Sequence, residues 1–266
     1  MQGRFISAVA LYGPKSEPVR GLLAGVQAMI ADHIGDRFRP YSLDQVHATL
    51  IALNAVPDPG TGTIVNEYLL THQGRAVEMD LPRVMDILTA RFAAPLPMRI
   101  GGHQRHQEVP FTSRGQHLFD RAFSVQGNAF VLVGWPVVSL TATTRAGAGA
   151  GAGGAGLARP VDELRRELNA AGLLHRYHVR DTDVDNDLHL VVGHQAGAGA
   201  GAGADAAERA VDAVQSKLAA EPVDFAIGLD DVTIVAADSH TLAPPLYVSR
   251  IPADETVLRT LMLMRP

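Results

Sequence analysis

The stretch Val46-His47-Ala48-Thr49-Leu50-Ile51-Ala52-Leu53 decides how the rest of the chain is read. It is apolar, rich in residues that suit strands, and gives way to a proline–glycine loop from Pro57 to Gly62, so it reads as a mostly buried strand. Side chains alternate along a strand, which puts His47 and Thr49 on one face roughly 6.6 Å apart. An imidazole beside a hydroxyl on one face suits proton transfer to an oxyanion held nearby. The tripeptide equally fits a half-buried core histidine next to a β-forming threonine. A second run, Asp187-Leu188-His189-Leu190-Val191-Val192-Gly193, has the same character: apolar, one histidine near its start, small residues after it.

Composition sets the frame. With 266 residues, 47% hydrophobic and 19% charged, the chain has ample core for one large domain or two small ones and is globular rather than disordered. A formal net charge of -5 provides no broad basic field, which argues against long duplex nucleic acid and leaves a short nucleotide or an RNA end as the nucleic-acid partner to consider. The absence of cysteine excludes disulfides, zinc–thiolate sites and a cysteine nucleophile. The N-terminus lacks a basic segment followed by a long apolar run, and no apolar stretch approaches the roughly 18 residues of a membrane helix. The expectation is a cytoplasmic protein with no membrane partner.

Upstream of the His47 strand, Phe5 to Tyr12 is a strand ended by Gly13-Pro14. Ser16-Glu17-Pro18 opens a helix whose apolar face is Val19, Leu22, Leu23, Val26, Met29 and Ile30, stopping near Gly35. Downstream, Thr63 to Asp80 has no decisive pattern. Pro82 to Phe92 reads as a helix and Pro97 to Gly102 as a strand. The polar loop from His103 to Asp120 holds His103, His106, Arg114 and His117; it has no compact ligand spacing, so its histidines are taken as solvated and no metal site is assigned. Arg114 is a candidate phosphate contact, because a guanidinium grips two oxygens at once; an exposed loop arginine is the alternative.

Phe123-Ser124-Val125 and Ala129 to Trp135 flank Gln126-Gly127-Asn128, a hairpin signal. Val137 to Thr143 reads as extended. Residues 146–156 and 196–204 are almost pure alanine and glycine and are expected to be flexible loops. Helices are expected from Pro160 to about Ala171 and from Asp205, as N-cap, to Ala220. Asp181, Asp183, Asp185 and Asp187 lack the glycine and glutamate of a calcium loop and form a polar approach to the His189 strand. His194, five positions after His189, would face the opposite side and is taken as a loop residue; Tyr41 and Tyr247 are taken as core or rim packing. Phe225 to Leu229, Val232 to Ala236 and Leu246 to Pro252 are the last strands.

Strand 5–12, helix 17–33 and the His47 strand recur in order as strand 129–135, helix 160–171 and the His189 strand. From Phe5 to His47 is 42 positions and from Ala129 to His189 is 60, or 49 without residues 146–156. With this order and its two histidine strands, the chain resembles the 2H phosphoesterase superfamily, which includes 2′,5′ RNA ligase-like proteins and cyclic nucleotide phosphodiesterases. The resemblance covers most of residues 5–252. It implies an α+β fold of two pseudo-symmetric β-α-β-type lobes, with mainly antiparallel sheets, facing across a central cleft in one bilobal domain over 1–266.

His47-Ala48-Thr49-Leu50 matches the family's H-x-[ST]-hydrophobic motif. His189-Leu190-Val191-Val192 departs from it, because Val191 cannot donate a hydrogen bond to phosphate. One lost oxyanion donor costs on the order of 100-fold in rate. The resemblance implies a phosphodiesterase acting without metal or other cofactor on a 2′,3′-cyclic phosphate or a 2′–5′ linkage in a nucleotide or RNA end. His47 and His189 would be the acid/base pair, either one in either role, with Thr49, and Arg114 as a further donor, on the phosphate. Two other readings stand beside it: a nucleotide- or RNA-end-binding module whose catalysis is lost with Val191, and an interaction protein with unrelated histidines.

Overall fold

The computed structural model describes residues 4–58, 60–141, 157–197 and 202–264. In chain order its elements are β1 (Phe5–Ala10), α1 (Glu17–Ile34), β2 (Phe38–Pro40), β3 (Ala48–Ala52), β4 (Ala55–Pro57), β5 (Ile64–Asn66), α2 (Glu67–Gln73), α3 (Leu81–Phe92), β6 (Leu96–Ile100), α4 (Leu118–Ala122), β7 (Phe123–Gln126), β8 (Ala129–Pro136), α5 (Val137–Leu140), α6 (Pro160–Asn169), β9 (Leu188–Gln195), α7 (Ala202–Ala220), β10 (Val223–Ile227), β11 (Val232–Ala237), β12 (Tyr247–Arg250) and α8 (Glu255–Leu263).

The class is α+β with antiparallel sheets. One sheet runs β12-β11-β1-β3; the other runs β10-β6-β8-β9-β2 with β7 added on β8; β4 and β5 form a small ribbon. Every strand pairing in them is antiparallel. The chain passes between the two large sheets more than once. β2 sits on the edge of the second sheet beside β9, whereas β3 lies beside β1 in the first. β10 pairs with β6 in the second sheet and β11 with β1 in the first. The two histidine strands, β3 with His47 immediately before it and β9 with His189 within it, lie against each other. One continuous apolar core takes in Ile6 and Leu50 from one sheet and Leu132 and Leu190 from the other.

Local rules explain most elements. α1 starts with proline in its first turn, buries Val19, Leu23, Val26, Ile30 and Ile34, and stops at Gly35, whose φ of 56° suits a residue without a Cβ. The β7–β8 hairpin turns at Gly127, whose φ of 65° is the left-handed value a type II′ turn requires at its first central position. α6 begins at Pro160 and buries Val161, Leu164 and Leu168 together with a charged residue, Arg165.

Both histidine strands carry a β-bulge, and at the same distance from the histidine. On β3, Val9 pairs with Thr49 and Ala8 with Ile51, so Leu50 is the extra residue. On β9, Val131 pairs with Val191 and Phe130 with Gly193, so Val192 is the extra residue. Each extra residue stands three positions after its histidine. A bulge leaves carbonyls outside the ladder, and they need other donors. Arg165 Nε of α6 donates to Leu50 O (3.1 Å), and Gln27 Nε2 of α1 donates to Val192 O (2.9 Å), as does the Tyr41 amide (3.1 Å). Each helix therefore caps the bulge of the strand that follows the other helix in sequence.

Several expectations need correction. Val137–Leu140 is a short helix, not an extended segment; buried Ser139 anchors it through Ala158 O (2.6 Å) and Asn186 Nδ2 (3.0 Å). The second alanine–glycine run does not stay a loop to 204: α7 starts at Ala202, so Asp205 lies in its first turn and is not its N-cap. Two of the three added residues are alanine, the best helix former; the glycine between them costs about 1 kcal/mol, but extending an established helix avoids the cost of nucleation. Residues 146–156 lie outside the described residues, as do 198–201. His103 is buried, edge-on to Trp135, and is not a solvated loop histidine. His47 immediately precedes β3 and is not within it. His194 is a strand residue of β9. No helix among the described residues is long and apolar enough to cross a membrane.

Candidate functional site

His47, Thr49, His189 and Val191 line one cleft of about 480 Å³, together with Tyr41, Tyr177, Arg176 and His194 among others. The bulges decide which residues face it. Beyond a bulge the alternation of side chains changes phase, so β3 presents His47, Thr49 and Ala52, while β9 presents His189, Val191 and His194. In an unbroken strand, positions five apart point to opposite faces. His194 reaches the cleft for this reason, where its hydroxyl neighbour Tyr41 hydrogen-bonds its Nε2. Gly193 permits the bend: a Cβ there would lie 2.6 Å from Arg39 O and from the Phe38 ring.

The two imidazoles are held differently. His47 Nδ1 lies 2.7 Å from Gln45 O; a carbonyl only accepts, so Nδ1 carries the hydrogen and Nε2 keeps its lone pair in the neutral ring. Burial lowers the affinity of His47 for a proton, the Gln45 contact opposes this, and nearby Lys15 adds to it. His47 is therefore a neutral base near pH 7 with its acceptor nitrogen defined.

At His189 the acceptor nitrogen is already used. Arg121 lies 2.8 Å from Nε2, and a guanidinium has no lone pair to offer, so it is the donor. Arg121 also donates to Asp187 Oδ2 at 2.9 Å, and Ser113 Oγ (2.6 Å) and Trp135 Nε1 (2.8 Å) complete that carboxylate. Burial alone would raise the Asp187 pKa; the hydrogen bonds from Ser113 and Arg121 and the charge of Arg121 bring it below its ordinary value. Burial pushes the His189 imidazole down to about 3; Asp187 opposes the shift, and Arg114, Arg121 and Arg165 reinforce it. With Nε2 accepting from Arg121, a neutral ring carries its hydrogen on Nδ1.

Arg165 joins the two motifs. It is 1% exposed and donates to Thr49 O (3.2 Å) and Leu50 O (3.1 Å) on β3, and to Asp185 O (2.9 Å) and Asp187 O (3.2 Å) before β9. Its charge is balanced by Asp185 at 3.2 Å. The acidic approach to β9 is thus divided: Asp181 and Asp183 lie outside the core, while Asp185 and Asp187 are buried under arginines.

Arg114 is not among the residues that line the cleft. It occupies the first central position of a tight turn between Ser113 and Gln116, with a φ of 50°. Its guanidinium stands 3.3 Å from Asp185 and 3.6 Å from the centroid of Tyr177, whose ring does line the cleft. Arg176 is the exposed arginine on the cleft, 4.7 Å from the same ring. Tyr247 lies on β12, away from the lining; Tyr41 belongs to it.

Asp185, Asp187 and His189 offer three potential metal-ligand atoms within 4.8 Å of one another. The chemistry of this set does not suit a cation. Arg114, Arg121 and Arg165 bring three positive charges against two carboxylates, and their hydrogen bonds take up the oxygens a metal would use.

Reasoning from sequence missed Arg165, Arg121, Gln27 and the cleft role of His194. Arg165 had a visible signal: it lies four positions after Val161 and next to Leu164, inside the apolar stripe of α6. A charged residue there is either mispredicted or buried with partners. Nothing local marks Arg121. Compared with known proteins, the chain matches no family model and no curated protein.

Proposed function

We propose that the cleft binds the phosphoester of a nucleotide or an RNA end and hydrolyses a 2′,3′-cyclic phosphate or 2′–5′ linkage without a metal. The observation that carries this reading is that His47 and His189, far apart in the chain, line a single cleft with Thr49 beside the first. His47 Nε2 takes a proton from the attacking water, Thr49 donates to a non-bridging oxygen, and His189 stands on the other flank. Arg176, on the cleft, is better placed than Arg114 to meet the phosphate charge. Tyr41, His194 and Tyr177 supply flat surfaces for a base. The reading takes the two histidine strands as the centres of two pseudo-symmetric lobes of the kind the 2H phosphoesterases have, and the matched bulges at Leu50 and Val192 support it.

The test is a screen of nucleoside 2′,3′-cyclic phosphates and 2′–5′ dinucleotides with chelator present. Product release by the wild-type chain, lost in His47→Ala, is the expected result. A wild-type chain that releases nothing from either class refutes the hydrolase. A second reading, a module that binds such ligands without turning them over, is favoured by Val191 and by the arginine against His189 Nε2. Saturable binding with no product after long incubation selects it.

A further inference from the structure

His189 differs from His47 in one respect that bears on its chemistry. A side chain that transfers a proton needs one nitrogen fixed by the protein and the other open to the ligand. His47 meets this requirement, with Nδ1 on Gln45 O. In His189 the nitrogen held by the protein is Nε2, and its partner is a donor, Arg121. Arg121 is 4% exposed and fixed at its other contacts by Asp187 (2.9 Å) and Ser113 (3.3 Å), so it is not a surface side chain that swings aside. An imidazolium at this position would set an N–H against a guanidinium N–H, with Asp187 Oδ2, at 3.6 Å from the same nitrogen, beyond hydrogen-bond distance.

We propose that His189 serves the cleft as a fixed Nδ1–H hydrogen-bond donor to an anionic ligand oxygen, that Arg121 is the positioning residue that sets this tautomer, and that proton transfer is left to His47 alone. The proposal deepens the phosphoester reading, on which it rests for the identity of the oxygen; the tautomer itself does not depend on that reading. It also gives Val191 a context. The second strand lost a hydroxyl donor at Val191 and presents an N–H donor two positions earlier, so one donor still faces the ligand from β9.

The hydrolytic step balances with one base. As the water oxygen bonds to phosphorus, its proton passes to His47 Nε2 and the phosphorus–ribose oxygen bond breaks. The leaving oxygen takes a proton from water in the open cleft, and His47 returns its own to solvent. The charged and titratable groups facing His189 are Asp185 and Asp187 ahead of β9, Arg121 on α4, Arg114 on the 113–116 turn, Arg165 on α6, and His175 and Tyr177 after α6.

Two measurements on the full chain test the proposal. The first is nitrogen-15 NMR of the histidine rings. His189 should remain one neutral tautomer, protonated at Nδ1, between about pH 5 and pH 8, where an ordinary histidine titrates. In Arg121→Met, which removes the donor on Nε2 and leaves Asp187 opposed by Arg114 and Arg165, the ring should lose its single Nδ1–H tautomer and its pKa should rise toward that range. A wild-type ring protonated at Nε2, or titrating there, overturns the proposal whether or not the protein has activity. The second is turnover of nucleoside 2′,3′-cyclic phosphates. Asparagine places an N–H close to the position of Nδ1 and glutamine places it near Nε2. His189→Asn should lose about ten-fold, and His189→Gln and His189→Ala about 100-fold or more, the scale of a lost oxyanion donor. An asparagine variant as inactive as the alanine variant overturns the proposal. An inactive wild-type chain removes the hydrolase reading and leaves the tautomer result standing.

Discussion

The two histidine strands follow one template and differ in what fills it. Each places a histidine, the residue two after it and the residue five after it on the same cleft, because each is bulged at the residue three after its histidine. Into that frame β3 puts a threonine and an imidazole whose Nε2 is an acceptor; β9 puts a valine and an imidazole whose Nε2 is covered by a guanidinium. The backbone geometry is shared, and the chemistry is set by groups outside the strands: the Gln45 carbonyl at one, Arg121 at the other. A motif read from sequence fixes where an imidazole stands, and its protonation is decided by partners that come from elsewhere in the chain.

The largest expected effect separates the two strands. His47→Ala should lower turnover by about 10³-fold or more, the range of a missing general base, with an unchanged far-ultraviolet circular dichroism spectrum. Equal damage from His189→Asn would make the strands chemically equivalent and erase the contrast drawn above. Next is Arg165→Met. It strips the cap from Leu50 O and leaves the buried Asp185 carboxylate without its closest countercharge, which should destabilise the fold by about 3–5 kcal/mol in urea titration. A loss near zero would show that the two motifs do not depend on that guanidinium for their relative placement.

The pH dependence of stability sharpens the comparison further. The folded His189 ring resists protonation down to about 3, while an unfolded histidine accepts a proton near its ordinary value of 6.5. The unfolded state therefore binds more protons as pH falls below that value, so this ring contributes stability above it and loses that contribution on the way down. His189→Asn should flatten the fall in urea midpoint between about pH 6.5 and pH 4 by up to about one proton. An unaltered slope would mean that the ring titrates alike in both states. Val191→Thr, which restores the hydroxyl that β3 already has at Thr49, should raise kcat/KM by about ten-fold, a part of what an oxyanion donor is worth. Last, Gln27→Ala removes two neutral hydrogen bonds, to Tyr41 O and Val192 O, which should cost about 1–2 kcal/mol in urea titration, while the Tyr41 amide remains on the Val192 carbonyl.

Much of this was legible in the chain itself. Apolar periodicity placed α1, α3 and α6, and glycine marked the β7–β8 turn, because these signals are local. The histidine strands were recognisable as strands, and their two histidines were singled out by the resemblance to the 2H phosphoesterases, to which the order of the elements lent weight. The bulges were not legible: an extra residue in a ladder depends on the partner strand, and without it His194 falls on the wrong face by simple alternation. Arg121 and Arg114 were equally opaque, since each acts on carboxylates far along the sequence, and an arginine in a polar loop gives no hint of which carboxylate it will cover. The small residues of the second alanine–glycine run read as a loop, and α7 absorbed its end because a growing helix recruits adjacent alanines.

The crossed capping by Gln27 and Arg165 has a consequence for how the molecule can be divided. A fragment carrying β1, α1 and β3 owns the His47 strand but lacks the arginine that steadies it, and a fragment carrying β8, α6 and β9 lacks the glutamine that steadies the other. Each part therefore holds a donor for the bulge of the other's histidine strand, and separating them leaves Leu50 O without Arg165 and Val192 O without Gln27.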